Sequence, residues 1–426
     1  MTDRQRFTPT FSKAPRYIYL LVLLLLIEVV PWRRGNYYSG QFDWTVNGKI
    51  MVLGASIFLA LWVRLHVART SAAANNVPVA PFLLVLLYLV VSITGALLSG
   101  EFGPSAALAL RVGAIGLVIL LLVELVGPMD LIRVVASVMT ITTIFIAATG
   151  TFSAYPYYGR LSGSFPPLGP NEIAFMASIP LIYFTWQLLH VNRTWVVYVA
   201  VSVLGIIIML TQSRTASALI LVVLVFLVLR GRQDQRSKLV MVSVLSIVVI
   251  LLLYSSQLIE SYSTRGGDSP IDAAGSRTIA WGAVLDSMRS LAETLFGEGL
   301  SARFVSVSGQ YWDQQIFDSS WFSAFVQAGW VGVSVALALV FFAVVQVMKN
   351  PRPRRDLWLG LLFFVIVRSV LESGLIDASS SYVIFMIVCL GASANASAVN
   401  SLPPSIPVRR IPVRQNGIPS KSSASE

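Results

Sequence analysis

The chain has 426 residues, 56% hydrophobic and 12% charged, with a formal net charge of +11 and a mean hydropathy of +0.75. Soluble domains average roughly 45–50% apolar and about 25% charged residues, so a water-soluble globular fold is excluded. The basic excess lies in short clusters between apolar runs, where anionic lipid headgroups rather than nucleic acid would meet it.

In chain order, the apolar runs predict membrane spans near 16–32, 48–66, 79–99, 104–127, 130–150, 171–189, 194–212, 214–230, 239–256, 319–348, 357–376 and 378–396. None alternates with period 2, and backbone amides in hydrocarbon need partners within their own segment, so helices rather than a barrel are expected. The predicted class is an all-α polytopic membrane protein of about twelve spans. The first run continues into Pro31-Trp32-Arg33-Arg34 rather than a small-residue cleavage site, which marks a retained anchor. Cys389, the single cysteine, lies in an apolar run, where packing is its expected role and no intrachain disulfide can form.

Basic residues in short loops stay in the cytoplasm. Arg4, Arg6, Lys13 and Arg16, the segment from Arg230 to Lys238, the segment from Lys349 to Arg355, and Arg409, Arg410 and Arg414 place both termini inside. The expected layout is a cytoplasmic tail at 1–15, nine spans within 16–256, a large outer-face loop at 257–318, three spans within 319–396 and a disordered basic tail at 397–426. The long loop mixes acidic and basic residues, as an outward segment does. Within it Trp281, Val284, Leu285, Met288, Leu291 and Leu295 recur at helical spacing ahead of Gly297 and Gly299. That pattern predicts one amphipathic helix from about Ser276, lying along the membrane surface.

Thr211-Gln212-Ser213-Arg214-Thr215-Ala216 interrupts two apolar runs with an arginine and hydroxyl and amide groups. Two readings stand: a half-buried anion site built from Arg214 and Ser213 or Thr215, or an arginine snorkelling from a helix end. Arg277, near the start of the loop helix, is either a second guanidinium at the membrane surface or a solvated side chain. Arg160 could add a third positive charge, and Asn171 can cap the following span. Asp318 sits where the loop re-enters the membrane, suited either to a general base or to a helix N-cap. Arg111, Arg368, Glu372 and Glu28 share a depth in the outer half of their spans. They suggest a polar cavity open to the outside, or structural ion pairs such as Arg368 with Glu28 or Glu372.

Taken in order, Arg160-Leu161-Ser162-Gly163 with Asn171-Glu172, Gln212-Ser213-Arg214-Thr215-Ala216, Ser276-Arg277 with Trp281, Phe296-Gly297-Glu298-Gly299, and Asp318 through Gly329-Trp330-Val331-Gly332 resemble the O-antigen ligase and O-antigen polymerase family of bacterial membrane glycosyltransferases. The resemblance covers roughly residues 155 to 335. It implies a GT-C-like fold in the cytoplasmic membrane and transfer of an undecaprenyl-diphosphate-linked oligosaccharide to an acceptor glycan. It further implies that Arg214, with Ser213 of the same motif, and Arg277 bind the diphosphate; Arg160 is expected to add its charge there, and with no DxD-like acidic cluster in the sequence no metal or other cofactor is expected. Ligases of the family carry a histidine where Asp318 stands. His66 and His190 map to predicted cytoplasmic ends, so histidine catalysis is not expected, and the aspartate resembles polymerase-like members more. Asp318 would then act on the acceptor hydroxyl. The competing classes are a twelve-span transporter, whose repeated halves are not evident here, the lipid-diphosphate-dependent shape-and-division peptidoglycan polymerases, and a non-catalytic assembly partner for polysaccharide export.

Overall fold

The computed structural model describes residues 14–32, 44–68, 77–152, 159–191, 194–231, 272–287, 289–307 and 314–400. The predicted span at 239–256, the first part of the long loop at 257–271, Met288, the N-terminal tail through residue 13 and the tail beyond Asn400 lie outside these residues.

Of the described residues 80% are helical, and the class is all-α. Eight helices come first: α1 (Arg16–Val29), α2 (Trp44–Ala68), α3 (Ala80–Ser99), α4 (Phe102–Val126), α5 (Pro128–Thr149), α6 (Pro170–His190), α7 (Trp195–Thr211) and α8 (Arg214–Arg230). The long loop contributes α9 (Asp272–Asp286) and α10 (Leu291–Phe296), and α11 (Ser320–Met348), α12 (Arg352–Leu371) and α13 (Ser380–Asn400) complete the helices of the described residues. Two short antiparallel hairpins, β1 (Thr151–Phe152) with β2 (Leu161–Ser162) and β3 (Phe304–Ser306) with β4 (Gln314–Ile316), lie between helices.

Among the described residues six helices, α2 to α6 and α11, are long and apolar enough to cross a membrane, which makes this a membrane protein by helix length and composition. Their outward faces carry bare apolar side chains such as Met51, Leu110 and Phe341, which lipid but not water tolerates in such number. By contrast, α6 is buried on nearly every face around Phe175, Tyr183 and Trp186, and α13 is buried from Tyr382 to Leu390. These two helices form the centre around which the others pack.

The sequence predicts one amphipathic helix in the loop, and the described residues of the loop hold two. Ser290 and Glu293 form a reciprocal capping box, each side chain bonding the other's backbone N–H, so a new helix starts at Leu291. The first helix also begins a turn earlier than Ser276, at Asp272.

The loop is fastened to the bundle at a break in α11. Gly329 has φ 62° and ψ −166°, which splits that helix into two stretches and leaves carbonyls without partners in their own helix. The loop supplies them: Glu298 N–H donates to Val326 O at 2.8 Å and Gly299 N–H to Gln327 O at 3.1 Å. Ser92 Oγ of α3 donates to the same Gln327 O at 2.8 Å, and Ser99 Oγ to Glu298 O at 3.0 Å. A Cβ on Gly297, whose φ is +74°, would run into the Gln327–Ala328 backbone, and one on Gly95 into Phe296 O and Gly297 O. Bare backbone at these positions lets loop, α3 and α11 touch.

Candidate functional site

The polar residues gather at one end of the bundle, where α7 turns into α8, α6 and α13 begin, and α12 stops. Two residues separate α7 from α8. Gln212 takes the left-handed conformation, φ 50°, which reverses the chain and frees the Thr211 carbonyl. Arg160, held just before β2, donates from Nε to that carbonyl at 2.9 Å and from Nη2 to Asn171 Oδ1, also at 2.9 Å. A guanidinium at a helix C-terminus complements the dipole as well as the orphan oxygen.

Asn171 is the hub of the site rather than a helix cap. It lies one residue inside α6, whose N-cap is Gly169 and has no side-chain cap bond. Its Oδ1 accepts from both Arg160 and Ser213 Oγ, the latter at 3.1 Å, while its Nδ2 donates to Glu372 Oε1 at 2.7 Å. The donors on one side and the carboxylate on the other fix which way the amide faces.

Glu372 Oε1 also accepts from Arg277 Nη2 at 3.0 Å, and Arg277 Nε lies 3.7 Å from Asp318 Oδ2. Arg277 is aimed by its own helix: Trp281, one turn on, donates from Nε1 to Phe317 O at 2.8 Å and stacks on Phe322 with ring centroids 5.0 Å apart. Residues four apart on a helix share a face, so anchoring Trp281 turns Arg277 toward α12. Asp318 does not cap α11, whose N-cap is Ser319. It sits outside the helix at φ +46° with its carboxylate toward Arg277, about two-fifths exposed. Desolvation pushes its carboxyl above the usual aspartate range, against the pull of the Arg277 guanidinium.

Arg214 directly follows Ser213 and opens α8. Its Nε and Nη2 are buried and have no hydrogen-bond partner among the described residues. Ser213, the N-cap of α8, makes no side-chain cap bond, so the first N–H groups of a 17-residue helix stand beside this guanidinium.

Arg160, Ser213, Arg277, Asp318 and Glu372 therefore come together through Asn171, with Arg214 next in the chain. Arg368, Arg111 and Glu28 do not join them. Arg368 pairs with neither Glu28 nor Glu372. Its Nη2 is 3.0 Å from Glu172 Oε1, its Nη1 donates to Ser381 Oγ at 2.7 Å, and its guanidinium lies over the Phe175 ring at 4.5 Å. It is 3% exposed and serves as a structural tie among α6, α12 and α13. Glu28, fully buried, takes the Nε of Arg111 on Oε1 and leaves Oε2 without a hydrogen bond. This is a second polar cluster, between α1 and α4. A third ion pair, Arg303 Nη2 to Asp377 Oδ1 at 2.7 Å, closes the loop against the turn between α12 and α13.

Reading the sequence missed the hub role of Asn171, the pairing of Glu172 with Arg368, and Ser320, whose Oγ donates to Glu372 O at 2.9 Å and accepts from Leu375 N–H at 3.1 Å. The Asn171-Glu172 pair was visible in the resemblance and was the available signal. No family model matches the chain, and no curated protein matches its sequence.

Proposed function

We propose that the protein is a membrane glycosyltransferase of the O-antigen polymerase or ligase type. It transfers an undecaprenyl-diphosphate-linked oligosaccharide to an acceptor glycan at the outer face of the cytoplasmic membrane, within surface polysaccharide biosynthesis. The observation that carries this reading is Arg214: two buried guanidinium N–H groups without a partner beside an uncapped helix N-terminus. A buried donor left unmade costs about 1–3 kcal/mol, more when charged, and a phosphate would satisfy guanidinium and helix end together.

The charge balance supports the same ligand. Counted formally, Arg160, Arg214 and Arg277 against Asp318 and Glu372 leave one positive charge, and Arg277 pairs with both carboxylates. The acceptor hydroxyl would lose its proton to Asp318 as its oxygen bonds to the anomeric carbon of the donor. The bond from that carbon to the diphosphate breaks, and the leaving diphosphate takes the electron pair while Arg214 and Arg277 stabilise its charge. Arg160 and Ser213 hold the α7–α8 turn and Asn171 in place around them.

The distribution of Lys and Arg supports placing both termini in the cytoplasm and the site on the outer face, where lipid-linked glycans are assembled into polymer. A carboxylate rather than a histidine at residue 318 favours polymerase over ligase. Deleting the gene separates the two: a polymerase deletion leaves single repeat units on a glycan gel, and a ligase deletion leaves long chains on the lipid carrier. Unchanged glycan in the deletion strain would sink both.

A further inference from the structure

Resting on the diphosphate reading above, we infer that Glu372 is the resident anion of the site, a carboxylate that holds a phosphate's place on Arg277 and must be displaced when the diphosphate binds. Glu372 Oε1 accepts from Arg277 Nη2 at 3.0 Å and from Asn171 Nδ2 at 2.7 Å, the two-donor arrangement that a phosphate oxygen takes up in an arginine site. The backbone presents it for this: α12 ends at Leu371, and Glu372 leaves the helix at φ −143° and ψ 140°. Ser320 Oγ pins its carbonyl at 2.9 Å, so the side chain is delivered into the cluster from a fixed point.

The arrangement solves a physical problem. Arg277 is largely buried, 22% exposed, and of the two carboxylates beside it Glu372 is the closer, at 3.0 Å against 3.7 Å for Asp318, so it carries most of the task of keeping the guanidinium ordered. Glu372 keeps it aimed in the empty state and competes with substrate for it. Among the described residues no carboxylate occupies the buried Nε and Nη2 of Arg214, so the diphosphate enters on Arg214 and completes binding by exchanging with Glu372 on Arg277. An exchange of this kind lowers apparent affinity by the fraction of molecules in which the site is already taken, and it returns Arg277 to Glu372 as the product diphosphate leaves. Glu372 is a positioning residue in this scheme and touches no reacting atom.

The test is pyrophosphate binding to the full chain in detergent micelles, measured by isothermal titration calorimetry. Glu372→Gln keeps an acceptor oxygen for Arg277 and Asn171 but removes the charge, and it should bind pyrophosphate on the order of tenfold more tightly than wild type. Glu172→Gln removes a charge of the same sign nearby, from the Arg368 pair, and should change affinity less than about twofold. Glu372→Asp keeps the charge one methylene short of Arg277 and should fall between. A gain in affinity cannot arise from a damaged fold, so misfolding does not imitate the expected result. The inference fails if both Glu372 variants bind no more tightly than wild type, or if Glu172→Gln tightens binding as much as Glu372→Gln. Absence of binding to wild type and variants alike would overturn the diphosphate reading itself, and this inference with it.

Discussion

Arg277 and Glu372, 95 residues apart, meet at 3.0 Å, so the outer part of the long loop and the end of α12 are joined by one carboxylate oxygen. Asn171 shares that oxygen and extends the link to Arg160 and Ser213. The candidate site is therefore one connected network, and its members should fail together rather than one at a time.

Arg214→Ala and Arg277→Ala should each reduce glycan extension at least about a hundredfold, the scale for losing one charge-stabilising donor, with the protein still inserted. Arg214→Lys should restore little, since an ammonium cannot place two N–H groups where the guanidinium does. Glycan gels of complemented deletion strains, with membrane immunoblots for protein level, read both quantities.

Asp318→Asn should lower the transfer rate by about 10²–10⁴-fold, the usual contribution of a general base. In the wild type the rate should fall as pH drops through the Asp318 pKa. Because burial raises that pKa, the acid limb lies at higher pH than for a free aspartate, whose value is about 3.9. The limb should vanish in the Asn variant. A pH series on purified protein with a lipid-linked donor measures it, and an acid limb that survives in Asp318→Asn would remove Asp318 from the base role.

Asn171→Leu removes an acceptor from Arg160 and Ser213 and a donor from Glu372. Leaving these groups unpaired should cost about 2–4 kcal/mol of stability and abolish transfer. Asn171→Asp instead puts a second carboxylate against Glu372, and the repulsion should leave the protein less active than Asn171→Ala. Thermal unfolding in detergent and glycan gels rank the three variants.

Gly297→Ala should destabilise the protein by about 2–4 kcal/mol, combining a positive φ with overpacking against α11. Gly54→Ala is the matched control: its added methyl meets nothing within 4 Å, and a helical glycine gains about 1 kcal/mol on becoming alanine. The midpoint of thermal unfolding should move in opposite directions in the two variants.

The helices were legible because long apolar runs have few alternatives, and Arg277 and Asp318 stood out because one opens the loop helix and the other marks the loop's return to the membrane. The partners of the ionisable groups were not legible. Glu372 follows Arg368 by four positions, the spacing of a helical ion pair, but α12 ends one residue too soon and Glu372 turns to Arg277 instead. Asn171 before an apolar run reads as a cap, and only the approach of Arg160 and Ser213 from other elements makes it a hub. The split of the loop helix was written in Ser290 and Glu293, a capping box that the wider apolar periodicity obscured.

On the diphosphate reading, the two buried guanidinium nitrogens of Arg214 link ligand binding to the stability of the fold. A ligand that binds only the folded state adds stability by mass action, about 2.7 kcal/mol at a hundredfold excess over its dissociation constant. An anion seated on Arg214 would also give its buried Nε and Nη2 hydrogen-bond partners. The melting temperature should therefore climb with pyrophosphate concentration, and climb less in Arg214→Ala. In that sense the ligand is a missing piece of the fold, and the protein should be hardest to unfold while it is holding its substrate.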